Sequence, residues 1–487
     1  MSPDRKPEGS ASQRIAFGTL ARSIGEVVGK VASLAFFVVV ARELGEEQFG
    51  DLIFGMSLST VLLLVAGLGM QEMIGREVAK DPRRADDLVW NVVVIKGLMM
   101  IGLLLVIVGI VAAQGRSLES AAAIVIVSVG VGFEYQAGTL YAVFDGRERQ
   151  QYVATTLIVN RVSTALLGIG AAVAGAGIVT IAILFTVGSA LGLLTAYWLM
   201  QRFVMRPSTR IEPRKWGELI RASLPLGIMS LFGTVSFRIS VVLLGLFAAG
   251  SADVGEYGAA FRLVESTLFL PASFNVAVLP WFSRHDGGGA IPIARGFEMA
   301  TKTVFALVLP IGLGMTLFAE PLIETLYGSD YSGAVTPLRL LGAMVVLWGV
   351  NTTIVTVLVS RNRPDVYTVP ALVALVPNLV LSVILIPPHG ADGAAIAAVA
   401  AAAVLTTISV PRTARLFGSV SPLRVLPAPL LAGAVMALSA AALSDIPWVP
   451  AAIASAVAYG ATFLVVERVF SPGDFAFYSA AVRLSRG

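Results

Sequence analysis

The sequence predicts an all-α, polytopic membrane protein of fourteen transmembrane helices. Three observations carry that expectation: composition, the length of the apolar runs, and the way basic residues alternate between them. Of 487 residues, 56% are hydrophobic and only 14% charged, against about 25% charged in an average soluble domain. The mean hydropathy is +0.83. A helix needs about 20 apolar residues to cross a bilayer, and such runs fall at 17–41, 50–71, 89–113, 120–143, 152–174, 178–200, 222–249, 256–281, 298–319, 334–359, 367–387, 392–410, 426–443 and 448–467.

Taken in order, residues 1–16 are polar and basic and form a cytoplasmic N-terminus. The apolar run that follows has no small-residue cleavage site, so it reads as a retained first span rather than a signal peptide. Spans one to six make a bundle over 17–200, its fifth and sixth helices joined by a short turn at Gly175 to Gly177. The segment 201–221 is basic and carries Pro207 and Pro213, so it reads as a linker, with Arg214 to Leu224 as an interfacial helix. A second six-helix bundle follows over 222–417, with the corresponding turn at His389 to Gly393. Residues 418–487 add two further spans and a cytoplasmic C-terminus.

Orientation comes from the basic residues. One set of connections holds Arg5, Lys6 and Arg14; Arg76, Lys80, Arg83 and Arg84; Arg147 and Arg149; Arg202 to Arg221; Arg284 and Arg295; Arg361 and Arg363; Arg412 to Arg424; and Arg468, Arg483 and Arg486. The alternate set holds only Arg42 and Arg116. This asymmetry puts both termini in the cytoplasm of a multi-pass protein of the cell membrane. The two halves also echo one another. Phe49-Gly50 matches Tyr257-Gly258 and Lys30 matches Arg238 at a shift of 208, while Tyr152 matches Tyr367 and Gly175 matches Gly390 at 215. Repeated halves are a common plan of secondary transporters.

Several functions are excluded by what the chain lacks. There is no cysteine, so disulfides and thiol chemistry are absent. The two histidines, His285 and His389, have no metal-ligand spacing and read as solvated. No phosphate-cradling glycine loop ends in Lys-Ser/Thr, so ATP is not the direct energy source. No cofactor is expected, and no basic-aromatic interleaving suits nucleic acid. An enzyme acting at the outer face would need carboxylates held by a sizeable loop or domain. The outer loops are short, and Asp253, Asp330, Asp392 and Asp445 are scattered singly.

Charge inside the spans marks the candidate site. Arg22, Glu26 and Lys30 follow one another at steps of four and share one face of the first span. Such charge is costly in a bilayer and usually faces a water-filled cavity or a partner helix. The excess is positive, which suits an anionic ligand. Glu26 is either the internal partner of the two cations or the carrier of a coupling proton. Arg238 lies at mid-depth in span seven. Arg262 and Glu265, three apart in span eight, form either a salt bridge or, for Arg262, part of a cavity wall. Glu134 in span four is a candidate cation or proton site. Lys96, Arg161, Glu298 and Lys302 lie near the cytoplasmic ends of their spans, where snorkelling accounts for them. Asn91, Asn160, Asn351 and Asn378 are expected to make interhelical hydrogen bonds.

The ordered set Ala41-Arg42-Glu43-Leu44-Gly45, Phe49-Gly50, Gly67-Leu68-Gly69 and Arg76-Glu77-Val78-Ala79, with the Gly175 and Gly390 turns, resembles the Wzx-type polysaccharide flippases. These are lipid-linked oligosaccharide transporters of the multidrug/oligosaccharidyl-lipid/polysaccharide (MOP) exporter superfamily. The resemblance implies two bundles in a V, as in multidrug (MATE) transporters and lipid II flippases, around a cavity that faces each side in turn. It implies a polyprenyl-diphosphate-linked oligosaccharide moved from the inner to the outer leaflet; the buried charges read as its binding site are Arg22, Glu26, Lys30, Arg238, Arg262 and Glu265, with Glu26 and Glu134 as candidates for ion coupling. Partners implied are that glycan lipid, membrane lipids, and polysaccharide polymerase or other assembly proteins. Lipid II flipping and cation-coupled drug antiport are the alternatives within the superfamily.

Overall fold

The structure is a computed structural model that describes residues 8–67, 69–81, 84–205, 210–248, 250–275, 293–361, 363, 365–417 and 422–470. His285 and Arg5, Lys6, Arg83, Arg206, Arg284, Arg483 and Arg486 lie outside the described residues. Among the described residues the regular structure is helical throughout. The chain divides into two compact units, Met1–Ala259 and Ala260–Gly487.

The first unit starts with α1 (Glu8–Gly67), which carries the first two expected spans and breaks between them at Gly45, where φ is 74° and ψ 171°. A residue with a Cβ rarely adopts that φ, so glycine sets the point of reversal. Next comes α2 (Met70–Lys80), an amphipathic helix where the sequence reading placed only a loop. Met70, Met73, Ile74 and Val78 are its buried face, and eleven residues are too few to register as a span. The remaining helices are α3 (Arg84–Ala113), α4 (Leu118–Gly146), α5 (Gln150–Val173), α6 (Ile178–Leu199) and α7 (Trp216–Phe247). The unit boundary falls inside α8 (Ser251–Thr267).

Packing in this unit centres on α1, which lies along α5 and also meets α4 and α7. It approaches the start of α8 closely. A Cβ on Gly50 would collide with the Ser251 carbonyl, and one on Gly255 with the Glu46 carbonyl. Small residues at such a crossing let two backbones touch, which is how helices associate where hydrocarbon offers no hydrophobic drive. At the other end of the unit, Asn91 fastens the start of α7 to α3. Its Oδ1 accepts from the Glu212 amide at 2.8 Å and from Trp216 Nε1 at 3.0 Å.

The second unit continues with α9 (269–275), α10 (Ile293–Leu317), α11 (Ala319–Tyr327), α12 (Val335–Ser360), α13 (Asp365–Phe417), the short α14 (Pro422–Val425), α15 (Pro427–Ala442) and α16 (Trp448–Phe470). As α1 does, α13 merges two spans across a glycine, Gly390 at φ 49°, beside which His389 is exposed. Asn351 donates to Thr406 Oγ1 at 2.6 Å, an interhelical bond between α12 and α13. Nine described helices are long and apolar enough to cross a membrane, α1 and α13 spanning 47 and 53 residues in that sense, with shorter apolar stretches at Val235–Phe247 and Pro427–Ala442. Counting α1 and α13 twice and α8–α9 once is consistent with the expected fourteen. Leu105 and Leu166 are each 70% exposed, a surface suited to hydrocarbon rather than water.

Lys302 does not snorkel, contrary to the sequence reading. It is 2% exposed, and its Nζ lies 2.5 Å from Glu467 Oε1 on α16, whose side chain is wholly buried. The neighbouring helices close over Lys302 before its ammonium can reach an interface. The contact is an ion pair without good hydrogen-bond angles, since neither Glu467 oxygen has a geometrically sound donor. It holds α16 to α10, assisted by Tyr459 Oη, which donates to the Ala306 carbonyl at 2.9 Å. Phe305, Leu309, Ala432 and Met436 pack around it. Breaking a buried pair by removing one partner costs about 3–5 kcal/mol, whereas replacing both with apolar groups is often neutral. Lys302→Met should therefore lower the thermal midpoint in detergent sharply, and Lys302→Met/Glu467→Leu should restore most of it. A single variant as stable as the wild type would remove the pair from the stability of the unit.

Candidate functional site

The charges of the first unit fall into three groups. The first lies on the face of α1 that the sequence marks. Arg22 Nε donates to Glu26 Oε1 at 3.2 Å, and Arg22 Nη1 donates to Asp145 Oδ1 at 2.7 Å. Asp145 ends α4 and is a partner that the sequence reading missed. The Arg22 side chain keeps 35% of its surface exposed, so another anion can still approach it. Lys30, two turns further along α1, is half-buried, and so is Arg238 on α7, the helix that packs on α1. Gly25 and Gly29 allow this face to lie close to α5, at Ala154 and Arg161 respectively.

The second group is at mid-depth between α4 and α5. Arg161 Nη1 lies 3.3 Å from Glu134 Oε1, and Ser189 Oγ from α6 lies 3.4 Å from the same oxygen. Arg161 thus has a carboxylate to hold at depth, where snorkelling was expected. Beside Tyr135 is Lys96, a further departure from that expectation. It is 1% exposed. Its Nζ donates to the Tyr135 carbonyl at 2.6 Å and to Thr139 Oγ1 at 2.7 Å, and sits 3.6 Å from the centre of the Tyr135 ring. Neutral oxygens and a ring face solvate the ammonium here, in place of a contacting carboxylate or the membrane interface.

The third group joins the Gly45 end of the unit. Arg116, in the α3–α4 connection, is ion-paired with Asp51 of α1. It also donates to Ser251 Oγ at 3.1 Å and to the Gly245 carbonyl at 3.0 Å, and its guanidinium lies over the Phe54 ring. Ser251 Oγ donates to Asp51 at 2.8 Å. The network connects α1, α4, α7 and α8. The sequence hint was available: Arg116 is one of only two cations on its side, and Asp51 directly follows the Phe49-Gly50 pair.

In the second unit Arg262 Nη1 donates to Glu265 Oε2 at 2.7 Å, with 12% and 18% of the side chains exposed. The i,i+3 spacing thus forms the pair it suggests. Among the described residues, no group of three or more metal-capable side chains comes together.

Solved transporter structures share this helical fold. The lipid II flippase MurJ in an inward closed conformation aligns with a TM-score of 0.74 over 92% of this chain and 99% of that one, at 14% identity. An inward-facing multidrug MATE transporter of the MOP superfamily aligns at 0.66 over 82% and 98%, at 16% identity. The fold is that shared by these two transporters, and the protein is a multi-pass membrane protein. Among curated proteins, the probable low-salt glycan biosynthesis flippase Agl15 of Haloferax volcanii is 22% identical over 394 residues, covering 79% of this chain and 80% of that protein. The succinoglycan biosynthesis transport protein ExoT of Rhizobium meliloti is 23% identical over 333 residues, covering 66% and 65%. The model of the polysaccharide biosynthesis protein family matches residues 15–285, over half of the chain. The protein belongs to that family.

A buried ammonium with only neutral groups in contact, and Glu72 acting on it from a distance, is expensive to keep, and natural proteins tolerate such costs mainly where function needs them. Lys96→Met should therefore raise the thermal midpoint while lowering transport. A fall in stability of more than about 2 kcal/mol would show instead that the charge itself holds the unit together.

Proposed function

We propose that this protein is a flippase that moves a polyprenyl-diphosphate-linked oligosaccharide from the inner to the outer leaflet of the cytoplasmic membrane, by alternating access and without catalysis. The observation that carries the reading is the family match over residues 15–285. Relatives named for glycan assembly and export support it. A hydrated diphosphate with sugars cannot cross hydrocarbon unaided, so a flippase must replace its water with protein groups while the tail remains in lipid.

The residues proposed to meet the diphosphate are Arg22, Lys30, Arg238 and Arg262, with Glu26 and Glu265 as their counter-charges. Arginine suits this work because its fork grips phosphate oxygens in pairs and stays charged when desolvated. Arg22 is already held by Glu26 and Asp145, so a phosphate would compete with carboxylates rather than fill an empty cationic hole. Affinity is then moderate, and release remains feasible. Glu26 and Glu134 are the proposed groups for any ion coupling. Both termini are proposed to lie in the cytoplasm, following the basic connections. We also retain the division into a six-helix bundle over 17–200, a linker over 201–221, a second bundle over 222–417 and two added helices, with polymerase or other assembly proteins as partners. Lipid II flipping rests on the likeness to MurJ, which at 14% identity concerns the fold alone.

The test is flipping of a fluorescent polyprenyl-diphosphate oligosaccharide in proteoliposomes. The wild type should flip it, and Lys30→Ala/Arg238→Ala should reduce the rate at least tenfold while the protein remains folded. Equal rates would remove these two residues from the proposed site. An inactive wild type that exports a cationic dye against sodium or protons would replace the flippase with a drug antiporter.

A further inference from the structure

Inside the first unit is a cavity of about 300 Å³, walled by the second half of α1 and by α2, α4 and α5. We propose that it is a saccharide subsite that takes one sugar ring of the glycan carried by the transported lipid; this rests on the flippase reading above. Its polar and aromatic wall is Gln71, Glu134, Tyr135, Tyr141, Asn160 and Arg161, and the rest is mainly aliphatic, including Leu63, Leu64 and Leu157.

The chemistry of the wall selects the ligand class. A sugar ring presents hydroxyls that both donate and accept, and C–H faces that are apolar. Amides donate and accept, a carboxylate accepts and a guanidinium donates, while tyrosine rings cover apolar faces and keep a polar tip. Other ligands fit less well. Glu134 is already matched by Arg161 at 3.3 Å, so the wall offers a cation no surplus negative charge; the remaining cation, Lys96, is buried behind Tyr135 with its ammonium bonded to the Tyr135 carbonyl and Thr139, out of a diphosphate's reach. A polyprenyl tail would gain nothing from an ion pair and two amides. The volume lies at the small end of the ligand-pocket range of about 300–1,000 Å³, which suits one ring rather than a chain of them.

Two further observations show a built and incomplete site. Asn160 is 4% exposed and its buried Oδ1 has no hydrogen-bond partner. Such an acceptor costs about 1–3 kcal/mol until something donates to it; its oxygen is covered as the side chain stands, so a ligand hydroxyl meets it once the Asn160 amide turns toward the cavity that it lines. The wall side chains are also given room by missing ones. A Cβ on Gly67 would overlap the Tyr135 hydroxyl, one on Gly138 would meet Gln71 Oε1 at 2.5 Å, and one on Gly192 would meet the Asn160 Cβ at 2.7 Å. Lys96 fixes Tyr135 from behind through its carbonyl and its ring and is a positioning residue. A ligand can reach the wall: Gln71 is exposed, and Glu134 and Arg161 keep 25% and 33% of their side-chain surface.

The experiment compares binding of two lipids to the full chain in detergent: lipid-linked oligosaccharide extracted from the cells that make the protein, and sugar-free polyprenyl diphosphate. Asn160→Leu keeps the volume of the side chain and removes its polar atoms; Gln71→Ala is an exposed second variant that leaves the core intact. Both should bind the glycan-bearing lipid about tenfold more weakly and the sugar-free lipid as the wild type does. An equal loss for both lipids, no loss for either, or a loss that disappears when sodium is replaced by choline would overturn the subsite, the last by making the cavity an ion site. A wild type that binds neither lipid would instead overturn the flippase reading, and the subsite with it.

Discussion

Charge inside an apolar medium must be matched where it sits, and the helices of this protein are joined at the places where the matches are made. Arg116 and Asp51 connect the Gly45 end of the first unit, Arg22 and Asp145 join α1 to the end of α4, and Lys302 and Glu467 hold α16 on α10. Between these points the packing is mostly aliphatic and close, as at Gly50 against Ser251. In hydrocarbon such packing has little solvent-driven preference for one neighbour over another. The ion pairs and amide bonds therefore specify which helix lies beside which, and in what register.

The same constraint explains what could be read from the sequence. The spans are legible because each is a run of about 20 apolar residues whatever surrounds it. The reversals at Gly45 and Gly390 and the turn at Gly175 are legible because positive φ needs glycine locally. Pairs within one helix are equally local: Arg22–Glu26 and Arg262–Glu265 follow from spacings of four and three. Asp145 is 123 positions from Arg22, and nothing in the sequence around either residue points to the other. Lys96 and Lys302 were misjudged for a related reason. Distance from a span end suggests that they can reach water, but only tertiary packing shows that neighbouring helices close over them.

The candidate site is legible to the same degree. Its cations and Glu134 stand out as charge in apolar runs. The cavity beside Glu134 does not, because its wall is drawn from four helices and includes α2, a helix too short to announce itself. Gln71 and Asn160 resemble the many amides that merely bridge helices, and Asn91 and Asn351 do serve that role. What separates Asn160 from them is its place in the cavity wall, since the Oδ1 of Asn351 is unpartnered as well.

The pairing also bears on how a transporter of anionic lipids can turn over. An unpaired arginine in a dry site would bind a diphosphate tightly: two unit charges 4 Å apart attract by about 4 kcal/mol at an effective dielectric of 20. A site that holds its ligand so firmly empties slowly. In the site proposed above, with Glu26 and Asp145 already on Arg22, an incoming phosphate would exchange one ion pair for another, and the net free energy would be the difference between two similar attractions. In the alternating-access cycle proposed above, this paired face would also return with little net charge to move against the potential, which acts with about 2.3 kcal/mol per charge per 100 mV. For the substrate proposed above, selectivity would then not rest on the phosphate alone, since every polyprenyl diphosphate presents the same one, and would come from groups that distinguish the sugars.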